Sequence, residues 1–188
     1  MSAFASRDSN KFKEAAKTGL GGGNYFSLPG EYECQIVGWK TLPKRNSSVV
    51  ALVADYKILN NVPEGHETGS IRNSYMADDD DMFDKKVTNL LVAASGYSTG
   101  LDEQLIDKED WFSVLNASVK PPSIFLNKKI IVSVTYDFRA IGRKQLKKKP
   151  ELASDPDFIK ENQFSKVVFN CHDETRAQTQ ALLAKAKK

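Results

Sequence analysis

The chain has 188 residues, 40% of them hydrophobic and 27% charged. A chain of this length buries a core that needs no disulfide staples, and Cys34 and Cys171 lack the neighbours that would close a zinc site. No run approaches the roughly 18 apolar residues of a membrane span, and residues 1–17 carry no apolar signal core, so the expectation is a cytoplasmic protein without membrane attachment. The net charge of +3 defines no partner, but its distribution is uneven: residues 78–84 hold five acids and residues 139–149 hold six bases.

Residues 1–24 read as a basic arm, with a short helix at 9–17 and a glycine-rich hinge at 18–24. The hinge lacks the Gly-Lys-Ser/Thr ending of a phosphate-binding loop. The folded domain is expected over 25–172. Strand one covers 31–42, with Tyr32, Cys34 and Ile36 on one face and Glu31, Glu33, Gln35, Val37 and Trp39 on the other. A polar loop at 43–48 carries Lys44 and Arg45. Strand two covers 49–59, with Leu52, Ala54, Tyr56 and Ile58 facing inward and Asp55 and Lys57 outward. Strand three covers 67–76, with Arg72 and Tyr75 on opposite faces.

A helix follows over 80–95. Its apolar residues Phe83, Val87, Leu90, Leu91 and Ala94 recur at helical spacing, the aspartates at 78–81 suit its electropositive start, and Gly96 ends it. Residues 97–122 form a less regular insertion, with a short helix bearing Trp111 and Phe112 and a break at Pro121–Pro122. Strand four, at 130–138, alternates Ile130, Val132, Val134, Tyr136 and Phe138 with more polar neighbours. The cationic run sits in the long connection that follows, and 150–162 is a polar loop or short helix. Strand five is 163–171, and a helix or tail at 173–188 ends in lysines. Three strands, a helix and two strands are the element order of a five-stranded OB-fold Greek-key barrel. The expected class is therefore mainly β with accessory helices, one helix lying between strands three and four and another at the C-terminus.

Single-stranded nucleic acid is bound by cations that follow phosphates and by aromatic faces that stack on bases. The stacking candidates are Trp39, Tyr75 and Tyr136. The phosphate candidates are Lys40, Lys44, Arg45, Lys57, Arg72, Arg139, Arg143, Lys144, Lys147, Lys148 and Lys149. No catalytic or metal site is expected. Asp55-x-Lys57 with Glu33 or Glu67 gives only a sparse match to a metal-dependent nuclease, and His66 and His172 have no triad context. An adaptor that binds other proteins is the main alternative reading, and the nuclease is a weaker one.

The segment LPGEYECQIV at 28–37 resembles the opening strand of bacteriophage-type single-stranded-DNA-binding proteins with an OB-fold. The segment DDDMFDKKVTNLLVAASG at 79–96 resembles the helix those proteins place after strand three, and 130–138 matches more loosely. The resemblance implies a cofactor-free non-enzyme that binds single-stranded DNA without sequence specificity. It would act in phage DNA replication or recombination, in the host cytoplasm, alongside replication or recombination proteins. The chain departs from the pattern at its end, ALLAKAKK, which is basic where many such proteins end in acids. Recruitment of partners through an acidic tail is therefore not supported, and duplex DNA joins single strands as a candidate ligand. Self-association is left open.

Overall fold

The structure, a computed structural model, describes residues 25–26, 28–43, 50–60, 67–78, 80 and 82–186. The arm and hinge, Lys44, Arg45 and His66 lie outside the described residues. In chain order the elements are β1 (Gly30–Pro43), β2 (Val50–Asn60), β3 (Ile71–Ala77), α1 (Phe83–Ala94), α2 (Glu103–Ile106), α3 (Trp111–Ser118), β4 (Lys129–Phe138), α4 (Ala140–Lys148), a 3-10 turn (Pro150–Ser154), α5 (Pro156–Asn162), β5 (Gln163–Cys171) and α6 (Asp173–Ala186). This is a mixed α/β protein with one five-stranded antiparallel sheet, ordered β3-β2-β1-β4-β5. The helical share exceeds the expected "mainly β" because the insertion and the β4–β5 connection are themselves helical.

The sheet is strongly curled. Tyr56 on β2 and Phe169 on β5 meet with ring centroids 5.7 Å apart. Three inter-strand steps separate those strands, which in a flat sheet would hold the rings about 14 Å apart. The concave side carries the core, in which Tyr32, Cys34, Ile36, Leu52, Tyr56, Ile58, Ile130 and Val132 are all buried. Phe26, just before β1, packs on both Tyr32 and Tyr56. Burial pushes the Cys34 thiol up to about 12, with a smaller push from Glu33. Low thiolate content makes such a thiol inert near neutral pH.

One strand serves both halves of this sheet. β1 pairs with β4 over Gly30–Gln35 and with β2 over Glu33–Pro43, with a first register shift between Glu33 and Cys34. Its register slips between Ile36 and Gly38, where two β1 residues face one on β2. This β-bulge adds a residue and reverses the alternation beyond it. Tyr32, Cys34 and Ile36 are buried before the bulge, and Trp39 is buried after it. Gly38 is needed because a Cβ there would run into the Asp55 side chain.

Strand three starts at Ile71 rather than at residue 67, because 67–70 form a turn closed by Gly69 N–H to Ile58 O and Ser70 N–H to Glu67 O. Helix α1 lays Phe83, Val87, Leu90, Leu91 and Ala94 on the core. It starts later than the sequence suggests. Asp80 accepts from Met82 N–H and pairs with Lys86, one turn ahead of the first helical residue. At its far end Gly96 takes φ 84°, while Gly96 N–H and Tyr97 N–H bond Ala93 O and Val92 O. These are the two bonds of a Schellman cap. Asn89, on the outward side of α1, bonds both the N–H (2.8 Å) and the C=O (3.0 Å) of Phe169. Its amide thus meets Phe169 on the free edge of β5 as a neighbouring strand would.

The bulge gives a direct test. Gly38→Ala is expected to lower unfolding free energy by about 1–3 kcal/mol, as overpacking does, in a urea titration. Adding Asp55→Ala should recover most of that loss; equal stability of Gly38→Ala and wild type would contradict the packing at the bulge.

Candidate nucleic-acid interface

β4 outruns β1. Its pairing with β1 ends at Val134 opposite Gly30, whereas its pairing with β5 continues through Phe138 opposite Gln163. From Thr135 onward the chain is a two-stranded ribbon without β1 beneath it. Tyr136 has the inward parity of Ile130, Val132 and Val134, yet it is 47% exposed because the core has ended. On the opposite face Phe164, paired with Asp137, is also exposed, and Lys166 sits beside Thr135. Phe138 is the exception on the ribbon, since it packs on Phe158 of α5 at 5.8 Å.

The cationic run is a helix, α4, rather than an irregular connection. Its inner side is Gly142, buried against Asn162, and Leu146. Arg139 N–H bonds Asn162 O at 2.9 Å and fixes the strand-to-helix junction. At 3.6 residues per turn, Arg143 and Lys147 then share one ridge and Lys144 and Lys148 the next, all facing outward. Lys147 and Lys148 occupy the last turn, where the helix dipole favours cations. Arg139 and Lys149 flank the helix and are exposed.

One acid enters this patch. Asp137 accepts from Arg143 at 3.2 and 3.4 Å and from Phe138 N–H at 2.7 Å. That carboxylate is committed, and it holds the Arg143 side chain at the end of β4, next in sequence to Tyr136. Lys144, Lys147 and Lys148 form no ion pair with another described residue. The cationic surface ends at Glu151.

Not all of the sequence candidates gather here. Arg72 pairs with Tyr56 across β2–β3, on the concave side. The Tyr32 hydroxyl, which donates to Leu28 O at 2.6 Å, is pushed up by burial, pulled down by the Arg72 charge and pushed up again by Cys34 and Tyr136. Arg72 on β3 and Tyr136 on β4 thus both have the parity of the concave side. Tyr75 and Lys40 both flank Val53 on the convex face, in one cross-strand row, with Lys57 two rows away. Tyr75 packs on Ala51 and Ala77 there, and Lys40 approaches Asp55 at 3.9 Å. Lys40, Lys57 and Tyr75 are therefore a separate group.

Trp39 requires a correction. The bulge turns it inward, and it is 8% exposed, packed on Phe125 at a centroid distance of 5.0 Å. Its Nε1–H donates to Ser118 Oγ at 3.1 Å, and that hydroxyl donates to Leu115 O. A buried, hydrogen-bonded indole offers no face for a base. Sequence reading also missed Phe164. Its signal was present, because Phe164 and Lys166 have the opposite parity from the buried Phe169.

The residues of the nuclease reading do not converge. Asp55 faces Gly38, while Glu33 lies five residues further along β1 and bonds His172 Nε2 at 3.2 Å and Asn60 at 3.1 Å. Five residues of strand span about 17 Å, too far for one cation held at 2–2.6 Å. Among the described residues no group of three or more His, Cys, Asp or Glu residues could hold a metal ion. No helix of the described residues is long and apolar enough to cross a membrane. No family model, curated protein or solved structure matches the chain.

The placement of Trp39 is testable by substitution. Trp39→Phe should cost about 1–3 kcal/mol by removing the buried Nε1–H bond to Ser118 and leaving part of the indole's space unfilled, measured by chemical denaturation. Oligonucleotide affinity should not change. A large loss of affinity with unchanged stability would return Trp39 to the binding surface.

Proposed function

We propose that the chain is a non-sequence-specific single-stranded-DNA-binding protein, acting in DNA replication or recombination and, from its sequence resemblance, phage-encoded. The observation that carries this reading is the placement of cationic α4 directly after the β4–β5 ribbon with its exposed rings. Tyr136 and Phe164 supply stacking faces, and Arg139, Arg143, Lys144, Lys147, Lys148 and Lys149 supply phosphate contacts. Nothing in this arrangement reads base edges. The surface tracks a charged backbone and accepts any base with a π-face. Arg72 extends the surface toward the concave side, and the convex group of Lys40, Lys57 and Tyr75 is a second stretch for a longer strand to reach.

An OB-type barrel is the fold that this reading implies. The order β3-β2-β1-β4-β5 supports it, because β3 and β5 are then the two edges left to close the barrel. The curl that brings Tyr56 to Phe169 supports it as well. So does the position of α1 between β3 and β4 in sequence, with its Asn89 on the edge of β5.

Anisotropy of a labelled oligonucleotide across a salt series tests the proposal. Single-strand binding weakens with salt at a log–log slope of about −0.7 per phosphate contact. Lys144→Ala/Lys147→Ala/Lys148→Ala should therefore flatten the slope by about 2 and weaken binding of all sequences alike. Tyr136→Ala should cost about 1–3 kcal/mol of affinity with the slope unchanged. Wild-type affinity for both variants, or no binding at low salt, would overturn the assignment.

A further inference from the structure

The two helical additions to the sheet have opposite character. In the insertion, Leu101 is 74% exposed and Phe112 58%, with Leu105 also exposed. Leu101 and Leu105 are one turn apart, and Trp111 Nε1–H bonds Ile106 O at 2.9 Å, which joins the start of α3 to the end of α2. Around these side chains stand Glu103, Asp107 and Glu109, exposed and in no ion pair with another described residue. Asp102, which does have a partner, is held by Arg176 at 2.6 and 3.2 Å. The segment thus exposes apolar side chains among acids that outnumber its one exposed cation, Lys108. Helix α4 is its complement: Ile141, 70% exposed, with Arg143, Lys144, Lys147 and Lys148 around it.

These surfaces cannot meet within one molecule. The insertion is fixed at the Lys129 end of β4. Asp102 binds Arg176 of α6, and the preceding α6 residue, Thr175, accepts from Lys129 N–H at 3.1 Å and donates to Lys129 O at 2.8 Å. Helix α4 begins beyond Phe138, at the other end of the strand. Ten strand residues separate the two ends by about 33 Å.

We propose that copies of this chain associate head to tail, the acidic, apolar face of residues 101–112 on one copy receiving α4 of the next. The apolar groups supply burial, and the charges fix partner and orientation. Because the two faces differ and lie at opposite ends of β4, a head-to-tail contact is heterologous, and its repetition builds open chains or closed rings according to the rotation between copies. The association does not rest on the nucleic-acid reading, but it uses the same helix. An oligonucleotide on α4 therefore displaces the neighbouring copy.

Sedimentation velocity of the full chain over a range of concentrations, at low and high salt, tests the association. Wild type is expected to show concentration-dependent species larger than a dimer at low salt, lost at high salt. Glu103→Lys/Asp107→Lys/Glu109→Lys and Lys144→Glu/Lys147→Glu/Lys148→Glu should each sediment as monomers with unchanged circular dichroism. An equimolar mixture of the two should associate again. Phe112→Ser, which leaves the charge intact, should weaken association several-fold. A wild-type monomer at every concentration, or a mixture that stays monomeric, would overturn the proposal. Failure of the nucleic-acid reading has a separate signature: no oligonucleotide binding by any sample, with the sedimentation pattern of wild type unaffected.

Discussion

β1 is hydrogen-bonded to β2 on one side and to β4 on the other, so both halves of the sheet turn on it. A straight strand of this length would hold its partners in a flat sheet, and the Tyr56 and Phe169 side chains could not meet. The bulge at Val37–Gly38, with Asp55 seated against a glycine that has no Cβ, breaks that regularity. Bulges bend strands and increase their twist, and the curled sheet packs its concave side on α1 and on Leu115 and Phe125 of the insertion. The bulge also decides which aromatic residues are inside. Trp39 becomes a core residue bonded to Ser118, and the insertion that carries Ser118 is drawn against the sheet.

The second constraint is strand length. β4 and β5 continue past the last β1 partner, and the hydrophobic alternation of β4 continues with them. Tyr136 is therefore exposed for a structural reason: its face of the ribbon has lost its cover. Helix α4 is anchored by Gly142 against Asn162 and by the Asp137–Arg143 pair, and its remaining cations are left to solvent. At the opposite end of β4, α6 is tied down by Thr175, Arg176 and Thr179, whose hydroxyl bonds Ser95 O at 2.8 Å.

Much of this was legible in residue order. The five strands and α1 follow from period-two and period-3.6 patterns, unbroken in Ile130–Val134 and in Val87, Leu90, Leu91 and Ala94. The opposite faces of Arg72 and Tyr75 follow from the same alternation. What could not be read was any feature set by a partner strand. The bulge at Gly38 depends on Asp55, which lies in β2, so nothing local to β1 announces the change of parity that buries Trp39. The exposure of Tyr136 depends on where β1 ends. Helix α4 was obscured by composition: its one buried stripe, Gly142 and Leu146, is too sparse to register as amphipathic among so many cations.

The proposed nucleic-acid site is the β4–β5 ribbon together with α4. Amide chemical-shift mapping of the labelled protein with a short oligothymidylate tests it residue by residue, below the concentration at which copies associate. The account predicts salt-sensitive shifts over 135–149 and 163–166, with residues 101–112 unmoved by the ligand. Shifts confined to the convex face at Lys40, Lys57 and Tyr75, or none at all, would contradict it.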